Sequence, residues 1–176
     1  MNVFWQRIIR AAKLDSALYE EVEKDASALP QAMAVVVLSA LAAGIGGVPK
    51  IGLGGIIVVA IIGLLAWYIW AFLTYFIGTR LLPEPQTQSN LGELLRTIGF
   101  SSAPGLIRIT AMFGGLQRLI FSFAAAWMLI AMVIAVKVAL DYKSTWRAAG
   151  VCLIGWIVQV ALLVPLLALF GGPKPS

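Results

Sequence analysis

Residues 31–48 read QAMAVVVLSALAAGIGGV, 18 residues without a charge. As a helix this run is about 27 Å long, close to the thickness of a bilayer's hydrocarbon layer. Pro30 precedes it, where a missing N–H costs a helix nothing, and Ser27 stands just upstream as a cap. Hydrocarbon offers no water to a bare peptide group, so a helix that closes its own hydrogen bonds is the expected form. The cluster GGVPK at 46–50 then breaks the run and predicts a tight turn.

The pattern repeats along the chain. Residues 51–78 form a second apolar stretch of 28 residues, long enough to require tilt. Its last third is aromatic (Trp67, Tyr68, Trp70, Phe72, Tyr75, Phe76), which predicts a belt at a membrane–water interface, a ligand cage being the alternative. Residues 119–140 are apolar up to Lys137 at the border. Ala124, Ala131, Ala135 and Ala139 lie on a related face there, a spacing that lets helices approach closely. Residues 148–170 carry Gln159 as their one strongly polar side chain. Residues 98–116 (IGFSSAPGLIRITAMFGGL) are apolar enough to cross, but Ser101, Ser102, Pro104 and Gly105 interrupt them and Arg108 is charged. A broken helix survives in a membrane only where protein or a water-filled cavity satisfies its backbone.

The expectation is therefore an all-α fold, a polytopic membrane protein with five transmembrane helices in a domain over 30–170. An amphipathic N-terminal helix within 1–29 precedes it, and a tail over 171–176 follows. Composition agrees: 61% of the residues are hydrophobic and 12% charged, against about 45–50% and 25% in soluble domains. The first 30 residues lack a continuous apolar core, so no cleavable leader is expected and the first span serves as an uncleaved signal.

Residues 2–25 read as one amphipathic helix. Phe4, Ile8, Leu18 and Val22 fall near one face, widened by Trp5, Ile9 and Leu14. Its first half is basic (Arg7, Arg10, Lys13) and its second half acidic (Asp15, Glu20, Glu21, Glu23, Asp25). This predicts a helix in the membrane interface with its cations near anionic lipid; a soluble helix packed on a partner is the alternative. In the polar stretch 79–97, Asn90 is placed to cap a short helix carrying Glu93 and Arg96 on one face, a candidate cytoplasmic surface.

With five spans and the N-terminus inside, the inner side holds Arg7, Arg10, Lys13, Lys24, Arg80, Arg96, Lys137, Lys143 and Arg147. The outer side holds Lys50, Arg108, Arg118 and Lys174. This is the expected bias. If 98–116 only re-enters from the inside, Arg108, Arg118 and Lys174 exchange sides with Lys137, Lys143 and Arg147, and the tally does not change. Charge thus fixes the N-terminus and leaves the C-terminus open.

The net charge of +5 comes from 13 Lys/Arg and 8 Asp/Glu. The cations are scattered without interleaved aromatics, so nucleic acid is not an expected partner. Histidine is absent and Cys152 is the one cysteine, which removes most transition-metal sites and general-base mechanisms. Ser101 and Ser102 have no base beside them, and no Asp or Glu falls within a span, so neither serine nor aspartyl hydrolysis is expected. The glycines at 44–55 lack the Gly-Lys-Ser/Thr of a phosphate loop. No cofactor or metal is implied. Arg108, Gln117, Arg118 and Gln159 are the intramembrane polar candidates.

At 99–104 the chain reads Gly99-Phe100-Ser101-Ser102-Ala103-Pro104. This resembles the Gly-aromatic-x-x-aliphatic-Pro signature of the Yip (Ypt/Rab-interacting) membrane proteins, with Phe100 where Tyr is frequent. Leu14-Asp15-Ser16-Ala17-Leu18-Tyr19-Glu20 echoes that family's Asp-Leu-Tyr-Gly-Pro motif without the Gly and Pro, so no GTPase-related role is carried over to it. LYEEVEKD, GTRLLPEPQT, ELLRTIGFSSAPG and LDYKSTWRAAGVCLIGW are similar to the bacterial branch, over about residues 10–165. The eukaryotic members are implicated in vesicle traffic, Rab binding and membrane shaping. For this chain the resemblance implies fold and topology rather than activity, and a place in a bacterial cytoplasmic membrane.

The function expected is a non-enzymatic scaffold that binds another membrane protein or a second copy of itself, or organises lipid. Gly99–Gly105 is the expected contact or hinge. A small transporter or channel lined by Arg108, Gln117 and Gln159 is the second reading, and an accessory subunit of a larger complex the third.

Overall fold

The computed structural model describes residues 2–47, 53–113 and 115–171, and every regular element among them is helical. The expected turn over 46–50 and the tail beyond 171 lie largely outside the described residues. Two short helices, α1 (Val3–Ala12) and α2 (Ser16–Lys24), lead into α3 (Leu29–Gly47) and α4 (Leu53–Phe76). Then come α5 (Leu91–Ser101), a 3-10 segment (Ala103–Phe113), α6 (Gln117–Ala139) and α7 (Thr145–Gly171). Ala26–Gly47, Ile57–Leu81 and Gln117–Ala139 are long and apolar enough to cross a membrane, and Thr145–Ala161 is a shorter apolar helix. Their outward faces stay apolar, with Ile61, Leu65, Ile69, Phe123, Ile130 and Trp156 at least half exposed. Lipid, not water, suits such a surface.

The N-terminal segment is a hairpin rather than the single helix expected over 2–25. Leu14 adopts φ 62°, the left-handed conformation that ends a helix. The Asp15 N–H bonds the Arg10 carbonyl and the Leu14 N–H bonds that of Ala11, the paired closure of a Schellman motif. The Asp15 carboxylate then caps α2 by accepting from the Ala17 N–H. Folded back, the pair buries Ile8, Ala11, Leu18, Tyr19 and Val22 against α3, Phe100, Ala103 and Ala135. Much of the apolar face assigned to lipid is covered by the chain itself; Val3, Trp5 and Ile9 stay exposed.

The expected span at 98–116 is not one helix. Helix α5 starts at Leu91 under the Asn90–Glu93 capping box and ends at Ser101, and the chain continues in 3-10 form. Pro104 has no N–H to give an α-helix at this point. Gly99 packs on Ala32 in the first turn of α3, and the Arg108 backbone lies against Gly46 in its last turn. Residues 99–108 therefore run alongside nearly the whole of α3. Fourteen α-helical steps rise about 21 Å; from 99 to 108 three α-helical and six 3-10 steps rise about 16 Å, where nine α-helical steps would rise only about 14 Å. The longer rise per residue of the 3-10 turns helps so short a segment keep pace with α3.

The alanine stripe of α6 is buried as expected: Ala124, Ala131, Ala135 and Ala139 are fully enclosed. The aromatic cluster of α4 divides. Tyr68, Phe72 and Phe76 face outward, whereas the Trp67 indole donates to the Leu95 carbonyl at 3.1 Å and the Trp70 indole to Met132 Sδ at 3.3 Å. Past α4 a π-helical turn (Ile77–Leu81) frees carbonyls, and the Tyr142 hydroxyl lies within hydrogen-bond distance of those of Gly78 and Leu82.

Candidate functional site

Two concave regions hold most of the polar side chains of interest. The first is a cleft of about 1010 Å³ at the hairpin end, between α2, α5 and the α6–α7 turn. Glu20, Glu23, Glu93 and Asp141 line it, with Lys24 and Lys137. The geometry follows from caps. Glu93 is held at the start of α5 by accepting from the Asn90 backbone at 3.0 Å. Asp141 takes φ 54° in a second Schellman closure, with Asp141 and Tyr142 N–H groups bonding the Val138 and Lys137 carbonyls. Burial pushes Glu23 up to about 7, helped by the charges of Asp141 and Glu93.

The hairpin is pinned by two arginines. The Arg7 guanidinium donates to Glu21 and Asp25, both at 2.8 Å, and to Gln31 at 3.0 Å. Burial opposes its charge, but the bonds to Asp25 and Glu21 outweigh this and hold it above the usual arginine value. Arg10 bridges Asp15 at 2.7 Å and also bonds Glu21. From the other side, Arg96 donates through Nε to the Val22 carbonyl at 2.8 Å and through Nη2 to that of Glu23. A cation there meets the negative end of α2. The Trp127 indole completes the attachment, donating to the Ala12 carbonyl at 2.9 Å. Arg96, expected on an exposed surface beside Glu93, is instead 9% exposed. Of that expected pair, only Glu93 faces the cleft.

The second region is a cavity of about 440 Å³ among α3, α4, the 3-10 segment, α6 and α7. Its walls are largely apolar, and Trp67 and Trp70 form one side. Its polar groups are Arg108, Ser39, Ser102 and Gln159. Arg108 donates through Nη2 to the Ser39 hydroxyl at 2.7 Å and the Ser39 carbonyl at 3.2 Å, and through Nε to the Gly105 carbonyl at 3.0 Å. Gly105 makes this possible, because a methyl group there would overlap the Ser39 hydroxyl and the guanidinium.

The remaining expected residues separate by depth. Gln117 and Arg118 are exposed at the far end of the bundle, where the Gln117 amide donates to the Gly47 carbonyl at 3.2 Å. Gln117 is thus absent from the cavity lining that Arg108 and Gln159 share. In the Gly99–Gly105 run, Gly99, Phe100, Ser101, Ala103, Pro104 and Gly105 are buried and Ser102 is half-buried. Phe100 sits beneath the hairpin, and the Ser101 hydroxyl donates to the Ile98 carbonyl at 2.8 Å. Sequence reading passed over Arg7, Ser39, Glu23 and Asp141 as site residues. The visible signal for the first was the basic half of the N-terminus followed by an acidic half.

The family model of the Yip1 domain matches residues 16–167. The chain belongs to the Yip1 domain family. The Yip1 domain match begins with the first residue of α2 and includes the α5 break, the cavity, all of the cleft lining but Leu14, and most of α7. With its apolar helices it makes the chain an integral, multi-pass membrane protein. No curated protein and no solved structure matches the chain.

Proposed function

We propose that this Yip1 domain protein is a non-enzymatic scaffold of a bacterial cytoplasmic membrane, with its N-terminal hairpin on the cytoplasmic side. Five segments cross the bilayer, α5 and the 3-10 segment together making the third passage. The run of residues 99–108 alongside α3 supports that count. The buried Gly99–Gly105 run then serves as the internal joint of the third passage, not as a surface for a partner.

The observation that carries the scaffold reading is the acidic cleft. Its four carboxylates outnumber its two lysines, and an opening of about 1010 Å³ at the polar end of the bundle suits a basic segment of another membrane protein. A photo-crosslinking side chain at Thr145, exposed on the cleft rim, is expected to capture a partner in cells that one at Ile69, on the outward face of α4, does not. Glu20→Gln with Asp141→Asn removes two charges while sparing the α5 cap, and asparagine tolerates the left-handed backbone at 141. Rim charges are individually weak, so capture should fall about threefold or more. Equal capture from both positions, or capture indifferent to the double substitution in a folded protein, contradicts the reading.

A further inference from the structure

The Arg108 guanidinium reaches Ser39, near the middle of α3, so the charge lies half-buried at mid-height in the bundle. A guanidinium carries five N–H donors. Nε and Nη2 are spent on Gly105 and Ser39, and Nη1 has no acceptor among the described residues. Among the described residues no carboxylate forms an ion pair with Arg108. The chain's eight carboxylates fall between residues 15 and 25, at 84 and 93, and at 141, all near the hairpin end. A half-buried cation held within the bundle by neutral oxygens alone is costly, and such a residue marks a ligand path or a counter-ion site.

The surroundings define the counter-ion. The cavity beside Arg108 is walled by Val36, Ala43, Ile62, Trp67 and Met128, with the Gln159 side chain as a further polar group. One cation in a largely apolar cavity complements one anionic headgroup joined to a hydrocarbon chain. A small hydrated anion would leave those walls unmatched. We propose that this cavity binds an acidic phospholipid, its phosphate on Arg108 and Ser39 and an acyl chain along the Trp67–Trp70 wall. The proposal rests on the membrane-embedded reading of the bundle and is independent of the cleft. It requires Gly105, whose missing side chain leaves the guanidinium and Ser39 in contact.

The full chain, reconstituted with equal phosphatidylglycerol and phosphatidylcholine, stripped with detergent and weighed by native mass spectrometry, tests this. Wild type is expected to retain one phosphatidylglycerol, favoured about tenfold over phosphatidylcholine, whose own choline cation would sit beside the unpaired guanidinium. Arg108→Gln should bring the two lipids to parity, and Arg118→Gln, at the exposed far end, should leave the preference intact. Ala66→Trp, which fills the cavity lining without touching Arg108, should abolish retention, and it carries the test if Arg108→Gln does not fold. The cleft variant Glu20→Gln/Asp141→Asn should retain lipid as wild type does, so failure of one reading is visible apart from the other. Equal retention of both lipids by wild type, unchanged preference in Arg108→Gln, or unchanged retention in Ala66→Trp overturns the proposal. Displacement of the lipid by millimolar inorganic phosphate overturns it in favour of a free-anion site.

Discussion

Arg7 and Arg108 are both guanidiniums drawn largely out of solvent, and the chain satisfies them in opposite ways. Arg7 meets two carboxylates and an amide, all supplied by α2 and the start of α3. Its charge is matched within the fold, so its task is to hold the hairpin closed. Arg108 meets a hydroxyl and two carbonyls, and no carboxylate among the described residues matches its charge. Arg96 stands between them: its partners are also carbonyls, but they terminate a helix and carry that helix's negative pole. The difference teaches that burial alone does not mark a functional arginine. An unmatched charge beside an open cavity does.

The sharpest way to break the comparison is to replace both arginines by methionine, which keeps the bulk of the stem and removes the charge. Arg7→Met leaves Asp25 without its cation, leaves Glu21 with Arg10 alone, and strips Gln31 of a donor. Arg7 is buried but both carboxylates are partly exposed, so the loss should open the hairpin without unfolding the bundle. Hydrogen exchange in detergent should show α1 and α2 losing protection well before α6. Arg108→Met should behave differently in a zwitterionic detergent, changing stability by less than about 1 kcal/mol. The cost of burying its charge disappears with it, and the Ser39 hydroxyl can turn to a carbonyl of its own helix. If Arg108→Met unfolds the bundle as readily as Arg7→Met opens the hairpin, Arg108 is a structural residue and the contrast fails.

What could be read from sequence divides along the same line. Three of the long apolar runs, the alanine stripe of α6 and the Asn90–Glu93 cap follow from local period and spacing, and the chain folds there as they prescribe. The hairpin does not follow, because both Schellman turns lack the usual glycine. Leu14 and Asp141 occupy the left-handed position, and the apolar period runs through Leu14 without interruption. The charge halves held the clue: cations at 7 and 10 followed by anions at 15, 21 and 25 suit two helices folded together better than one lying on lipid. Arg96 and Ser39 were hidden for a different reason. Their partners lie 74 and 69 residues away, and no local pattern encodes such pairings. Arg108 was visible as an anomaly in an apolar run, but not the serine and glycine that receive it.

The smallest effect sharpens the comparison by titrating the hairpin end. The bond from Arg10 lowers Asp15; burial pushes Glu21 up, but bonds from Arg10 and Arg7 together outweigh this and lower it; the Ser27 hydroxyl and then Arg7 lower Asp25. Stability from these groups is present above their ordinary carboxylate range and is lost as pH falls through their lowered values. Glu23 works with the opposite sign. Its unfolded value of 4.5 rises to about 7 in the fold, by burial and the nearby charges of Asp141 and Glu93. Between those values the folded chain keeps a proton that the unfolded chain has released, so raising pH through this window removes stability. Hairpin protection, corrected for intrinsic exchange, should therefore climb from acid to about pH 4.5 and decline gently toward 7. Glu23→Gln should flatten the decline and leave the acid limb in place, whereas Arg7→Met should shrink the acid limb. The cleft adds a coupled effect, since ionised Glu23 draws a basic partner and a bound partner favours ionised Glu23. Partner capture should strengthen across the same interval in which the hairpin loosens, and a decline that survives Glu23→Gln would assign the titration to another group.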